Sequence, residues 1–270
     1  MFERVFDWTS RRLRGALSCN RWPESDIEQY SSRAAAFGKQ IYATTPGPAS
    51  RKLDLRQFGS GSAGYTIECS ELSKESIVYS LGIGCDITFD LALIESFGLH
   101  VWGYDPTSEA ARYIRKVSPP SNFFFSQQGV CPCSGKRSLM TIKKPSRLYR
   151  AATLLGCEGI GGKVTDTECI GILDLPKRNK HSRIAILKMD IEGAEYEILR
   201  ELSSDEIYFN QLAVEFHPHL LNVSKGLKMT DDYGWIETEQ AICALIGWGF
   251  AVAYVSDRGT EFSFVRSIND

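Results

Sequence analysis

The sequence predicts an α/β fold built on a seven-stranded, mostly parallel sheet that ends in an antiparallel hairpin. From residue 77 onward, apolar strand-like runs alternate with helical patterns, as expected for parallel strands joined by crossover helices. The last two runs are separated only by residues 256–260, a turn-rich link that joins antiparallel strands, because a parallel connection needs about a dozen residues or more.

The elements follow in chain order. The strand candidates are Ile77–Leu81, Leu99–Tyr104, Asn122–Phe125, Ile184–Met189, Gln211–Phe216, Phe250–Val255 and Glu261–Val265. The helix candidates are Thr88–Phe97, Ser108–Val117, Ala194–Leu202 and Trp235–Ile246. About sixty residues separate the third and fourth strands, which is too long for a plain connection. We therefore expect an insertion at about residues 131–183, with a helix around Leu148–Leu155.

Residues 1–75 are predicted to form a helical and loop lead-in to the main domain, residues 76–270. The Arg-rich residues 1–22 favour a packed or frayed helix over a surface-seeking one. The stretch Gly59–Gly64 matches GxGxxG, but that dinucleotide motif requires a strand before it and a helix after it. Since Tyr65–Cys69 alternates like a strand, we interpret Gly59–Gly64 as a flexible loop.

The composition indicates which partners and which cellular compartment to expect. Lys and Arg number 31 against 33 Asp and Glu, which disfavours a nucleic-acid partner. The longest apolar run, Ala241–Val255, is shorter than a spanning helix and is broken by glycines, so no membrane span is expected. Eight scattered cysteines without a CxxC pair indicate reduced thiols and a cytoplasmic protein rather than a disulfide or zinc scaffold.

The first strand ends in the turn Gly82–Gly84, and the second ends in Asp105, 21 residues beyond Gly84. Glycines let a ligand approach the backbone, and an acid at this position can accept hydrogen bonds from ribose hydroxyls. Both NAD and S-adenosylmethionine fit this pattern. Position 87 is Ile instead of a third glycine, and Asp86 would repel a pyrophosphate but suits a positive sulfonium and ammonium. An ordinary tight turn with a solvated acid is the remaining alternative.

The fourth strand candidate runs into a second motif, LKMDIEGAEYEIL, at residues 187–199. It resembles the signature of FkbM-type S-adenosylmethionine-dependent methyltransferases. The stretches GIGCDITFDLALIESFG and QLAVEFH resemble the branch grouped as methyltransferase-like proteins. The resemblance covers roughly residues 56–266 and implies the class I methyltransferase (Rossmann-like) fold, usually with O-methylation of a hydroxyl.

The resemblance also implies site residues. Gly82, Gly84 and Asp105 are expected to contact the cofactor, and Asp190 and Glu192 are expected to line the site after the fourth strand. Family members typically carry an acid inside the first strand and an Asn-x-Gly turn, whereas this chain has Ser80 and Cys85-Asp86. We expect Asp86 to take over the contact to the methionine end of the cofactor.

Physical reasoning separates the acids of the second motif. Asp190 follows an apolar strand at its carboxyl end, where open α/β sheets bind ligands. Glu195 lies in the first turn of the next helix candidate, where the helix dipole favours an acid. We therefore assign Asp190 to the site and Glu195 to the start of the helix.

A third group follows the fifth strand, where Glu215 and His217 alternate onto one face. A histidine near neutral pKa can remove the proton of a hydroxyl, and a carboxylate can orient it. Asp190, Glu215 and His217 are the predicted catalytic residues, with a structural role for His217 as the alternative. The three could also hold a divalent metal, but none is expected. His219 follows Pro218 and is expected to be exposed.

Together these patterns predict methyl transfer from S-adenosylmethionine to a hydroxyl of a small molecule or glycan. The alternatives are an NAD(P)-dependent oxidoreductase and a non-catalytic methyltransferase-like binding module. The oligomeric state is left open.

Overall fold

The computed structural model describes residues 23–45, 47, 52–142, 151–154, 163–206 and 208–266. The strands are β1 (Leu55–Phe58), β2 (Tyr65–Glu68), β3 (Ile77–Leu81), β4 (His100–Tyr104), β5 (Phe123–Ser126), β6 (Gly129–Cys131), β7 (Gly135–Ile142), β8 (Ala151–Thr153), β9 (Lys163–Gly171), β10 (Ile184–Met189), β11 (Phe209–Glu215), β12 (Phe250–Val255) and β13 (Glu261–Arg266). The α-helices are α1 (Glu24–Thr44), α2 (Thr88–Phe97), α3 (Ser108–Val117), α4 (Asp174–Asn179), α5 (Glu195–Glu201), α6 (Pro218–Ser224) and α7 (Tyr233–Gly247).

The main sheet has seven strands in the order β12-β13-β11-β10-β3-β4-β5. Strands β3, β4, β5, β10 and β11 are parallel, whereas β13 is antiparallel to both β11 and β12. The predicted mostly parallel sheet with a C-terminal antiparallel hairpin is therefore confirmed. Because β3 lies beside both β4 and β10, the strand order reverses at β3, and open α/β sheets have their ligand crevice at such a point, outside the carboxyl ends of the strands.

The parallel strands are buried on both faces, which explains their continuous apolar sequences. Alternate residues enter two separate cores. Val78, Ile186 and Ala213 pack on one side of the sheet, and Tyr79 and Leu187 pack on the other.

The helices that flank the glycine turn have well-defined ends. Helix α2 ends at Gly98, whose φ of +68° is left-handed and whose N–H bonds the carbonyl of Ile94. Helix α3 begins behind Thr107, whose hydroxyl accepts a hydrogen bond from the N–H of Ala110. Both helices have the bounds that the sequence predicted, so the segments that carry the turn are fixed locally.

The lead-in is packed onto the main sheet. Phe58, Tyr65 and Ile67 of the β1–β2 hairpin share a core with residues of β3, and the side-chain amide of Gln211 bonds both the N–H and the carbonyl of Glu68. Within the Gly59–Gly64 segment, Gly61–Ala63 forms a short 3₁₀ turn of this hairpin, with no helix behind it. Residues 1–22, for which we predicted a helix, lie outside the described residues.

The insertion forms a second sheet, in the order β6-β9-β7-β8, followed by α4. The prediction of a helix around Leu148–Leu155 is wrong for the residues of this range that the structure describes, because Ala151–Thr153 is strand β8. Met140 of β7 is the register partner of Thr153. Helix propensity is a weak local preference, and pairing with a distant strand overrides it here.

None of the helices in the described part of the chain combines the length and apolar character needed to cross a bilayer. The cysteines of that part, at positions 69, 85, 131, 133, 169 and 243, are all free thiols.

Candidate active site

The predicted site residues lie at one edge of the main sheet. Gly82 follows β3, Asp105 follows β4, Asp190 follows β10, and Glu215 and His217 stand at the end of β11. Since these strands are parallel neighbours, their carboxyl ends meet at the same edge.

The glycine turn touches the segment after β10. Gly82 has a φ of +82°, and a Cβ added there would lie 1.8 Å from the carbonyl oxygen of Asp190. The N–H of Asp190 also bonds the carbonyl of Leu81 at 3.0 Å. Gly84 has a φ of +56°, but nothing lies within 4 Å of its Cβ position. Gly82 is therefore required by close packing, whereas Gly84 borders open space.

Asp105 is buried and holds this turn in shape. Its Oδ2 accepts hydrogen bonds from the N–H groups of Ile83 (3.0 Å) and Gly84 (2.8 Å). Its Oδ1 accepts from the N–H (2.8 Å) and the hydroxyl (2.5 Å) of Thr107. A carboxylate offers about four lone-pair sites, so these contacts account for its usual capacity. A ribose contact of Asp105 stays a prediction, beside this observed role in shaping the turn.

Asp86 stands at the start of α2. Its Oδ1 accepts a hydrogen bond from the N–H of Thr88 at 2.9 Å, which satisfies one of the free donors of the first helical turn. The acid therefore caps the helix that follows the turn. Its contact with the methionine end of a cofactor stays a prediction.

Lys188 is a site residue that the sequence analysis missed. Its Nζ donates a hydrogen bond to the carbonyl of Gly82 at 2.6 Å and lies 3.8 Å from Oδ2 of Asp190. It therefore links the glycine turn to the acid after β10. The available signal was a lysine inside the otherwise apolar strand β10, because a lysine is almost never fully buried without a partner.

A buried acid accompanies this lysine. Ser80, at the position of the acid typical of the family, is the register partner of Lys188 in the sheet. Asp90 of α2 is buried, and burial raises its pKa to about 6, while the positive charge of Lys188 opposes this rise. Lys188 therefore interacts electrostatically with a carboxyl group from helix α2 as well as with Asp190.

Glu195 has a larger role than the start of a helix. It is fully buried, and its two oxygens accept hydrogen bonds from the N–H groups of Ile191 (2.8 Å) and Gly193 (2.9 Å). Its Oε1 also lies 3.1 Å from Nδ1 of His217. Glu195 thus fixes both the loop after β10 and the ring of the histidine. Its place as the last acid of the DIEGAE motif was the signal for this role.

His217 is buried with only 6% of its surface exposed, and its Nε2 faces carboxylates. Nε2 lies 3.7 Å from Oδ1 of Asp190 and 3.9 Å from Oε2 of Glu192. One ligand-type atom from each of Asp190, Glu215 and His217 lies within 4.8 Å of the others. The structure therefore brings the three predicted catalytic residues together, with Glu192 beside them.

The acids control the charge of this cluster. Burial acts to lower the pKa of His217, but Glu195, Glu192 and Glu215 outweigh it and raise the pKa to about 10. Glu192 also has a φ of +54°, a left-handed conformation that non-glycine residues adopt at a cost and that is frequent at functional turns. The cluster therefore favours a positive charge at the imidazole or beside it.

The expected exposure of His219 is wrong. The residue is buried, and its Nδ1 lies 3.1 Å from the hydroxyl of Tyr30. His219 belongs to α6, and its ring packs against Tyr30 of α1. The imidazole is therefore enclosed by an element that is distant in sequence.

The site fits a cationic nucleosidic cofactor. The open space beside Gly84 leaves the backbone of the turn accessible. The acids Asp86, Asp190 and Glu192 border the same edge, and carboxylates suit the positive sulfonium and ammonium of S-adenosylmethionine.

Comparisons with solved structures give distant similarities. The fibrillarin pre-rRNA processing protein of Methanococcus jannaschii is 10% identical, with 72% of this chain and 68% of that chain covered and a TM-score of 0.40. Aeropyrum pernix fibrillarin, solved with natively bound S-adenosyl-L-methionine, is 12% identical over 81% of this chain and 84% of its own, with a TM-score of 0.37. An rRNA methylase from Streptococcus thermophilus is 13% identical over 73% and 90%, also with a TM-score of 0.37.

No protein with a curated description matches the chain in sequence. The family model of the methyltransferase FkbM domain, however, matches residues 26–223, well over half of the chain. The match includes the turn after β3, the DIEGAE motif and the end of β11. With the strand order of the main sheet, it confirms the class I methyltransferase fold. The chain belongs to the FkbM family of S-adenosylmethionine-dependent methyltransferases.

Proposed function

We propose that this chain methylates a hydroxyl oxygen of a small molecule or glycan. The observation that carries the proposal is the arrangement around His217. A fully buried carboxylate, Glu195, holds Nδ1, and Nε2 is directed toward the acids at the crevice. When bound, S-adenosylmethionine supplies an electrophilic methyl group carried on a positively charged sulfonium.

We assign cofactor binding to the turn after β3 and the loop after β10. Gly82 and Gly84 let the backbone approach a ligand, and Asp105 keeps their N–H groups in place. Asp86, Asp190 and Glu192 would face the positive end of the cofactor.

We assign acceptor binding to Glu215 and His217. His217 would take the hydroxyl proton at Nε2, and Glu195 would stabilise the resulting imidazolium through the Nδ1–H group. Glu215 would orient the acceptor. Methyl transfer is an in-line displacement, so holding the acceptor oxygen in line contributes much of the catalysis.

The raised pKa of His217 bears on this role, because a protonated imidazole cannot act as a base. The pKa is raised first by Glu195, which also bonds Nδ1, and then by Glu192 and Glu215. A cationic ligand beside Glu192 offsets part of this field and therefore lowers the pKa of His217, whereas the contribution of Glu195 remains. We expect His217 to act as a base only when such a ligand is present.

The balanced charge of the chain, with 31 basic against 33 acidic residues, supports a small-molecule or glycan acceptor over a nucleic acid. We further propose a cytoplasmic location, supported by the free thiols of the described cysteines.

The test is methyl transfer to fractions of metabolite and glycan extracts, with donor labelled in the methyl group. Mild alkali separates the product classes, because methyl ethers survive it and methyl esters are hydrolysed. We expect alkali-stable label that is absent with His217→Ala and retained with the control His181→Ala, whose ring bonds the hydroxyl of Tyr79. Label that alkali releases, or label of equal amount with His217→Ala, would contradict the proposal.

A further inference from the structure

We propose that Asp190, Glu215 and His217 form a binding site for a hard divalent cation of the Mg²⁺ or Mn²⁺ class. The sequence led us to expect no metal, and the geometry of the folded cluster is the reason to propose one. The role of the cation in acceptor binding rests on the proposed function, but binding of the cation itself does not.

The spacing of the three side chains suits ligands of one ion. Their ligand-type atoms all lie within 4.8 Å of one another, and Nε2 of His217 is 3.7 Å from Oδ1 of Asp190. That distance is too long for a hydrogen bond. Two ligand atoms that each bind one ion at about 2.1 Å lie roughly 3–4 Å apart. The separation therefore leaves room for a cation between the imidazole and the carboxylate.

The histidine is held as metal-binding histidines are. Its Nδ1 lies 3.1 Å from Glu195, which is itself fixed by the N–H groups of Ile191 and Gly193. Its Nε2 has no hydrogen bond to any described residue, although the side chain is more than nine-tenths buried and directed into the cluster. A carboxylate behind a histidine is the arrangement that fixes the tautomer and orientation of a metal ligand.

The charges of the cluster also favour a divalent ion. Besides the two carboxylate ligands, Oε2 of Glu192 lies 3.9 Å from Nε2 of His217. The nearby Lys188, whose Nζ lies 3.8 Å from Oδ2 of Asp190, supplies a single positive charge, and a divalent ion would add to it among these carboxylates. Oxygen-rich sets with a single imidazole and no thiolate suit Mg²⁺ and Mn²⁺ better than soft metals. A cation here would lower the pKa of a hydroxyl bound to it, as metal ions do for bound water. It would do so in place of the imidazole, because Nε2 as a metal ligand cannot also accept the hydroxyl proton.

Binding of Mn²⁺ to the metal-stripped full chain, followed by the loss of the free-ion electron paramagnetic resonance signal, tests the site without methyl donor. We expect one Mn²⁺ per chain. Asp190→Asn and Glu215→Gln should each weaken binding at least tenfold, and Glu195→Gln should weaken it about tenfold through the orientation of the ring. Glu239→Gln, an exposed acid of α7, should bind Mn²⁺ as the parent does. Far-ultraviolet circular dichroism confirms that each variant is folded.

Several outcomes would overturn the site. The first is no uptake of Mn²⁺ by the parent, and the second is an affinity for Mn²⁺ in both folded ligand variants equal to that of the parent. The third is release of Mn²⁺ when S-adenosylhomocysteine is added, which would show that the cofactor occupies the cluster. Methyl transfer that persists in full after exhaustive chelation would overturn the role of the cation while sustaining the proposed function. Mn²⁺ binding by a chain that fails to bind S-adenosylhomocysteine would support the site and overturn the proposed function.

Discussion

Two regions at the same edge of the sheet use their acids in opposite ways. In the turn after β3, both oxygens of Asp105 are met by N–H and O–H donors at 2.5–3.0 Å. In the cluster after β10 and β11, Asp190 and Glu192 face the same nitrogen of His217 at 3.7 and 3.9 Å, beyond hydrogen-bonding distance. The hydrogen-bonding capacity of Asp105 is filled by neighbouring donors, whereas Asp190 and Glu192 place two like charges beside one imidazole.

This difference separates shape from chemistry. The turn is a preformed cradle in which local donors satisfy the acid that holds it. The cluster gathers several carboxylates around one imidazole and raises the pKa of that imidazole, and perturbed groups of this kind concentrate at functional sites. Changes in the turn should therefore affect folding and cofactor binding first, and changes at Glu215 and His217 should affect turnover.

The largest effect is expected in the turn itself. Gly82→Ala would place a Cβ 1.8 Å from a backbone oxygen at a φ of +82°, so it should lower the free energy of unfolding by at least about 4 kcal/mol or abolish folding. The Cβ of Gly84→Ala would meet nothing within 4 Å, so this variant should lower the free energy of unfolding by only about 1–2 kcal/mol, because of its left-handed backbone. Urea unfolding compares the two variants. Equal costs would show that the close contact after β10 does not constrain Gly82.

In the cluster, His217→Ala should lower turnover by roughly 10²–10⁴-fold while S-adenosylhomocysteine binding is kept. The physical reason is loss of the group that takes the acceptor proton, with the cofactor turn left intact. Steady-state kinetics and isothermal titration measure the two quantities on the same preparation. Unchanged turnover would remove His217 from the mechanism, and an equal loss of cofactor binding would move it to the cofactor side.

Replacing Asp105 tests how much its hydrogen bonds stabilise the glycine turn. Asp105→Ala leaves the N–H groups of Ile83 and Gly84 without their acceptor and should lower the free energy of unfolding by about 2–3 kcal/mol. Binding of S-adenosylhomocysteine should weaken by about one to two powers of ten, because the cradle loses its shape and any ribose contact. Asp105→Asn keeps one acceptor oxygen and should cost less. Wild-type affinity in Asp105→Ala would show that the cofactor does not lie across this turn.

The smallest effect is a change in the pH dependence of stability, through Asp90. Its pKa is raised from 3.8 to about 6 by burial, so the folded state holds this proton more tightly than the unfolded state. The resulting stability is fully present below pH 4 and is lost as the pH rises through about 6, by roughly 2–3 kcal/mol.

Asp90→Asn should remove this loss, so the variant should gain stability relative to the parent between pH 4 and pH 7. Glu95→Gln, an exposed acid of the same helix, is the matched control and should follow the parent. Thermal unfolding across this pH range measures both. A constant difference between Asp90→Asn and the parent would mean that Asp90 does not titrate in this range.

Much of the fold could be predicted from the sequence because its strands are buried on both faces. Continuous apolar runs such as Ile77–Leu81 and Ile184–Met189 match β3 and β10 residue for residue. The second sheet was missed because strands such as β7 are largely polar and pair with partners distant in the chain. The lead-in was predicted to be partly helical, but the position of helix α1 within it was not, since its core contacts occupy few positions among many polar residues.

The residues of the site were more predictable than their partners. Spacing after the strands located Asp105, Asp190 and His217 at one edge, because strand ends of a parallel sheet converge. It could not show that Asp105 bonds the turn 21 and 22 residues before it, or that Glu195 holds His217. Those contacts depend on loop conformations that only the folded chain defines.

We propose that the edge formed by the glycine turn and the DIEGAE motif, residues 190–195, binds S-adenosylmethionine. Isothermal titration of the parent chain with S-adenosylhomocysteine, and separately with NAD⁺, tests it most directly. We expect one equivalent of S-adenosylhomocysteine to bind, weaker binding by Asp105→Ala, and no heat from NAD⁺. Binding of NAD⁺ in place of S-adenosylhomocysteine, or binding of neither, would contradict it.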